Sequence, residues 1–229
     1  MKMTRKDFLV VTAAGAASAF SVTARGQLIQ TAQEWNPGDF QKVVSRPGRC
    51  RQVYDITRIG DGVFLNNIKN SLNGFQFGFG MSPGEINVVA ALHGVANLLN
   101  FDDSMWTKYK LGEFASVTDP KTHAPAIRNL FYPSSANPSN TKVESEQSIY
   151  QDHSMQGLAK RGVSFFLCHT ATEEQSRKLK ARLGLTEPPE RIVKDLLLHT
   201  IPGSVVVPSM VATVAVLQLQ HRFSYITVG

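Results

Sequence analysis

The sequence predicts an α/β protein, a mostly parallel five-stranded sheet with helices on both faces in a Rossmann-like three-layer arrangement. Three observations point there. Short apolar runs rich in Val, Ile and Phe recur along the chain. Each is followed by a longer segment with apolar residues about a helical turn apart. Glycine and proline turn signals, such as Gly60-Asp61-Gly62 and Ile201-Pro202-Gly203, mark the junctions.

Residues 25–50 are polar and read as an irregular amino-terminal arm packed on the domain, with a turn at Trp35-Asn36-Pro37-Gly38. The first strand is expected over 52–57. A helix over 63–77 follows, carried by Phe64, Leu65, Ile68, Leu72 and Phe75. Residues 86–92 form an apolar run, the second strand, ending at His93-Gly94. Residues 102–112 read as a short helix closed by Gly112. Residues 113–146 are long and turn-rich, and a loop of that length in a compact domain is usually functional or partly disordered. A helix over 148–161 stops at Gly162.

Residues 163–167 are too short for a helix and rich in β-branched and aromatic residues, so they read as the third, buried strand. Thr170 or Thr172 is the expected cap of a helix over 173–183, with Glu173 and Glu174 in its first turn. Pro188-Pro189 starts a helix over 190–199. The fourth strand is expected over 204–207. Pro208 opens a helix over 209–220, and 223–228 is the last strand.

The amino terminus has the layout of an export signal. Lys2, Arg5 and Lys6 precede an uncharged run from Val10 to Ala24, and small residues come before Ala24. Thr4-Arg5-Lys6-Asp7-Phe8-Leu9 is close to a twin-arginine motif with Lys6 as the second base, so the twin-arginine machinery is the expected partner in export. The expected division is a signal peptide at 1–24, the arm at 25–50 and one domain at 51–229. The expected location is the periplasm or beyond, as a soluble protein. The formal net charge is +6, near +4 without the first 24 residues, and no long basic block is present. That disfavours nucleic acid as a partner.

There are two cysteines, Cys50 and Cys168. Cys50 precedes a strand and Cys168 follows one, so a parallel sheet places them at opposite ends and a bridge is not expected. Cys168 stands where ligands bind in open α/β sheets, at a strand's carboxyl end facing a helix amino terminus. A helix dipole stabilises a thiolate, by enough to bring a free cysteine from about 8.5 to roughly 7, while burial acts in the opposite direction. On this basis Cys168 is the expected reactive thiol and should alkylate faster than Cys50. His93 leaves the same sheet edge and is its candidate base. His169, Thr170, Asn97 and Asp102 are candidates to line the pocket, with Asp103 beside them. His199 should fall at the opposite end of the sheet.

Several motifs in order resemble the DsrE/DsrF-like sulfur-relay family. Val205-Val206-Val207-Pro208-Ser209-Met210-Val211-Ala212, Leu217-Gln218 and Phe223-Ser224-Tyr225-Ile226 are similar to its closing strand, helix and strand. Phe166-Leu167-Cys168-His169-Thr170 is similar to its cysteine site, and Val88-Val89-Ala90-Ala91-Leu92-His93-Gly94 to its second strand. Residues 100–112 resemble a segment of exported members. The likeness covers roughly 51–229. It implies a persulfide carried on Cys168, a sulfurtransferase-like role and homo-oligomers. The insertion is longer than in compact members, and the signal separates this chain from the cytosolic relay, so sulfur donor and acceptor stay open. No cofactor is predicted. The alternative is a non-catalytic module of the same fold in which Cys168, with His93 or His169, holds a metal, haem or small ligand. An inert Cys168 in an interaction protein is a third reading.

Overall fold

The computed structural model describes residues 35–228. The export segment 1–24, its twin-arginine motif and residues 25–34 of the arm lie outside the described residues. The described part contains a five-stranded, all-parallel sheet formed by β1 (Cys50–Ile56), β2 (Ile86–Leu92), β3 (Ser164–Cys168), β4 (Val205–Val207) and β5 (Ser224–Thr227). Its spatial order is β4-β3-β2-β1-β5. All five expected strands are present, β2 with the expected ends and the others with ends shifted by at most two residues.

The order explains the layers. From β1 to β4 the chain steps one way across the sheet, so crossovers of constant hand lie on one face. That face carries α2 (Val63–Asn73), α3 (Asp103–Lys108), α4 (Leu111–Ala115), α5 (Met155–Lys160), α6 (His169–Leu183) and α7 (Pro189–Leu198). The chain then returns past β1 to β5, and α8 (Met210–His221) falls on the other face beside α1 (Pro37–Val44). Strand side chains alternate between two cores: Tyr54, Val88, Ala90, Leu92, Phe165 and Leu167 on the first, and Val53, Val89, Ala91, Phe166 and Cys168 on the second. Among the described residues no helix is long and apolar enough to cross a membrane.

Several local expectations are corrected. The Trp35-Asn36-Pro37-Gly38 signal starts α1 rather than a turn: Asn36 Oδ1 accepts from Gly38 N at 2.9 Å and Pro37 takes the first helical position. Phe40 of α1 packs its ring 6.0 Å from that of Phe166. The 63–77 helix is α-helical to Asn73 and ends in a π turn, Gly74–Gly78. The 102–112 helix is two helices, α3 and α4, with Lys110 left-handed between them (φ 49°). The helix expected from 148 begins only at Met155, because Asp152 Oδ1 accepts from Ser154 N and Ser154 caps Gly157 N. Residues 116–154 contain no helix or strand, so the irregular segment starts after α4, three residues later than the expected 113, and runs past the expected 146. Asn129 anchors that insertion through Leu99 O at 2.7 Å and Asp103 Oδ1 at 2.8 Å.

Candidate functional site

The carboxyl edge of the sheet gathers most of the predicted chemistry. Strand β3 passes into α6 with no linker, so Cys168 is at once the last strand residue and the helix N-cap. The cap expected at Thr170 or Thr172 is therefore the thiol itself. Its Sγ accepts from Ala171 N at 3.4 Å and, from the first turn of α8, Met210 N at 3.3 Å. The Thr170 N–H contributes as well. Two helix amino termini thus converge on one sulfur.

Cys168 is only 4% exposed. Burial pushes the Cys168 thiol up, and the amides of Ala171, Met210 and Thr170 pull it down without prevailing. The lowered thiol expected from the dipole alone is corrected accordingly: desolvation is the larger effect. Cys50, the first residue of β1, is less buried and is also raised by burial. Both cysteines are free.

Asn97 is a predicted pocket residue whose side chain reaches the backbone of Cys168. It is fully buried, its Oδ1 accepts from Cys168 N at 2.8 Å, and its amide donates to Thr172 Oγ1 at 3.0 Å and Gln175 Oε1 at 3.1 Å. Thr170 is exposed and donates its hydroxyl to Pro208 O at 3.0 Å, joining α6 to the start of α8. His169 is buried at the first position of α6, with Nδ1 3.2 Å from Glu173 Oε1, and Arg177 stands 3.9 Å from the other carboxylate oxygen. Asp102 is a helix cap, accepting from Ser104 N at 2.9 Å and Met105 N at 3.3 Å. Its own N–H bonds His199 O in the segment that leads into β4.

His93 is held by a different partner. Its Nε2 lies 2.7 Å from Asp55 Oδ1, and the Tyr225 hydroxyl donates to Asp55 Oδ2 at 2.6 Å. Among the described residues no hydrogen bond joins His93 to Cys168. The Asp55 bond also raises the Tyr225 hydroxyl above its ordinary range. Asp55 and Tyr225 were not anticipated from the sequence. A carboxylate late in a central strand is the signal that marks Asp55; Tyr225 becomes its neighbour only because β5 pairs with β1.

A cavity of about 720 Å³ opens at the same edge, beyond β1 and β2, under the insertion. Among the described residues no group of three or more His, Cys, Asp or Glu side chains is placed to hold a metal ion. Comparison of the chain with protein-family models, curated proteins and solved structures gives no match.

Proposed function

We propose that this is an exported DsrE-like protein that handles sulfane sulfur through a persulfide on Cys168. The observation that carries the reading is the setting of Sγ, which receives N–H groups from the amino termini of both α6 and α8. Such termini favour anions, and the outer sulfur of a persulfide is a stronger acid than a thiol. An anion borne at Cys168, as thiolate or as persulfide, therefore lies near both termini. The burial of Cys168 shields Sγ from bulky reagents.

In the loading step the Cys168 thiol gives its proton to water. The thiolate then attacks the terminal sulfane sulfur of a persulfide or polysulfide. A new S–S bond forms at Cys168 as the donor's S–S bond breaks, and the donor leaves as the shorter thiolate, with no net oxidation. Export, release by the twin-arginine machinery and self-association belong to the same reading. They are supported by the amino-terminal motif and by the family resemblance.

The test is mass spectrometry of folded protein after brief exposure to polysulfide. A gain of about 32 Da, one sulfur atom, is expected on Cys168 and should be released as thiocyanate by cyanide. Cys168→Ser should abolish it. Loading of Cys50 alone in the folded protein would overturn the proposal.

A further inference from the structure

The cavity at the sheet's carboxyl edge lies apart from the Cys168 cradle in its lining and in its chemistry. Its volume of about 720 Å³ falls within the ~300–1,000 Å³ usual for small-molecule sites. One wall is the β1–α2 connection, with Arg58 and Asp61; the facing walls set apolar Val95, Val117, Leu130 and Phe131 beside Ser116 and Thr118. The insertion closes on that connection at Gly62: a Cβ there would stand 2.8 Å from the Phe131 ring, and Gly62 is left-handed at φ +76°. Residues 115–131 are thereby held as a roof over the ends of β1 and β2.

Arg58 is exposed. Among the described residues it makes no ion pair and no side-chain hydrogen bond. A guanidinium presents a planar set of donors suited to a carboxylate. Asp61 lines the same wall without pairing to Arg58. An inorganic dianion held by Arg58 would also meet that carboxylate. A molecule with one anionic end and an apolar body escapes the conflict, placing its charge on Arg58 and its body against Val95, Val117, Leu130 and Phe131. We propose that this cavity binds a small organic monoanion with an apolar body, its charged end held by Arg58. The cavity lies outside the carboxyl ends of parallel strands, the side of the sheet on which ligands bind in open α/β folds.

The probes are 8-anilinonaphthalene-1-sulfonate, whose fluorescence reports an apolar anion site, and octanoate, 1-octanol and inorganic phosphate as competitors. In the full-length protein the dye should bind and octanoate should displace it. 1-Octanol and phosphate should each compete about tenfold more weakly or worse. Arg58→Gln should weaken octanoate about tenfold, and Asp61→Asn should strengthen it several-fold. Both side chains are exposed and unbonded to described residues, so both variants should keep the parent circular-dichroism melt. Val95→Trp, which fills the cavity, should abolish displacement. Absence of dye binding, equal competition by 1-octanol, or an unchanged octanoate affinity in Arg58→Gln would overturn the proposal. Strong competition by phosphate would overturn its apolar half.

Discussion

Asn97 Oδ1 accepts the backbone N–H of Cys168 at 2.8 Å, although the two residues lie 71 positions apart. The bond ties the 3₁₀ segment Gly94–Asn100, which follows β2, to the point where β3 becomes α6. With Thr172 and Gln175 on its amide, Asn97 locks the helix start that aims the α6 amides at the sulfur.

Asn97→Ala should therefore cost more than a surface cap. It leaves the buried Cys168 N–H without its acceptor and removes a donor from Thr172 and Gln175. At about 1–3 kcal/mol per stranded buried group, the expected loss is roughly 2–4 kcal/mol. For a domain of this size that lowers Tm by about 4–16 °C, readable by calorimetry. A loss within about 0.5 kcal/mol would mean that water replaces Asn97 freely.

Two glycines should respond with opposite signs. Gly112 lies inside α4 rather than closing a helix, and a Cβ there would overlap the backbone of Ala126. Gly112→Ala should destabilise by about 1–3 kcal/mol and loosen the start of the insertion. Gly74 is right-handed (φ −58°, ψ −47°) and its Cβ would meet nothing within 4 Å. Gly74→Ala should stabilise by about 0.5–1 kcal/mol. Denaturant titrations of the pair separate close approach from backbone freedom.

This contrast shows what the sequence could say about the fold. The five strands were legible because burial on two faces demands apolar runs, and Val88 to Leu92 or Phe165 to Leu167 leave little choice. Helix boundaries were less so, since they depend on local side-chain bonds. Asn36-Pro37 marks a turn or a helix start equally well, and only the burial of Val43 and Val44 against the sheet decides it. Asp152, Ser134 and Ser154 likewise remove the first half of an expected helix through bonds that periodicity does not reveal.

Asp195 accepts from Lys108 Nζ at 2.8 Å and from the Tyr109 hydroxyl at 2.6 Å. Burial raises its carboxyl, but these two donors outweigh it and the net shift is downward. A depressed carboxylate stabilises above its unfolded value, about 3.9, and that contribution fades as pH falls through the lower folded value. Asp195→Asn should cost roughly 1 kcal/mol at pH 7 and less near pH 2. Urea midpoints of both proteins at the two pH values check the sign.

Asp55 joins His93 to Tyr225, and the Tyr225 hydroxyl is raised chiefly by that bond. In Asp55→Asn the negative acceptor is gone, so one tyrosine should ionise at lower pH than in the parent. The difference is visible in the ultraviolet absorbance between pH 9 and roughly 11, the range around the ordinary tyrosine value. Tyr225→Phe should remove that same transition. Coincident alkaline titrations in parent and Asp55→Asn would show that Asp55 does not control Tyr225.

The site was only partly legible for a related reason. Cys168 and Asn97 could be chosen because each follows a strand, and they do meet. The pairing of His93 depends on strand order, and order β4-β3-β2-β1-β5 puts Asp55 and Tyr225 beside it. The net shift at Cys168 depends on how deeply α8 covers β3, which spacing along the chain does not encode.

The thiol itself gives the last prediction. Burial holds the folded Cys168 above the free value near 8.5. Two consequences share one sign. The folded protein keeps that proton longer than the unfolded chain, so the stability it contributes is full below about pH 8.5 and is lost as pH rises through the folded value. The thiolate fraction, and with it sulfur loading, should climb about tenfold per pH unit from 7 to beyond 8.5 without levelling. In a Cys50→Ser background, the rate of reaction with methyl methanethiosulfonate, a small reagent, measures the climb. Cys168→Ala should flatten part of the alkaline stability loss seen in urea titrations. A plateau near neutrality would mean that the α6 and α8 amides outweigh desolvation at the sulfur. A rate that appears only on unfolding would make Cys168 a core residue, and the sulfur-carrier proposal would fall.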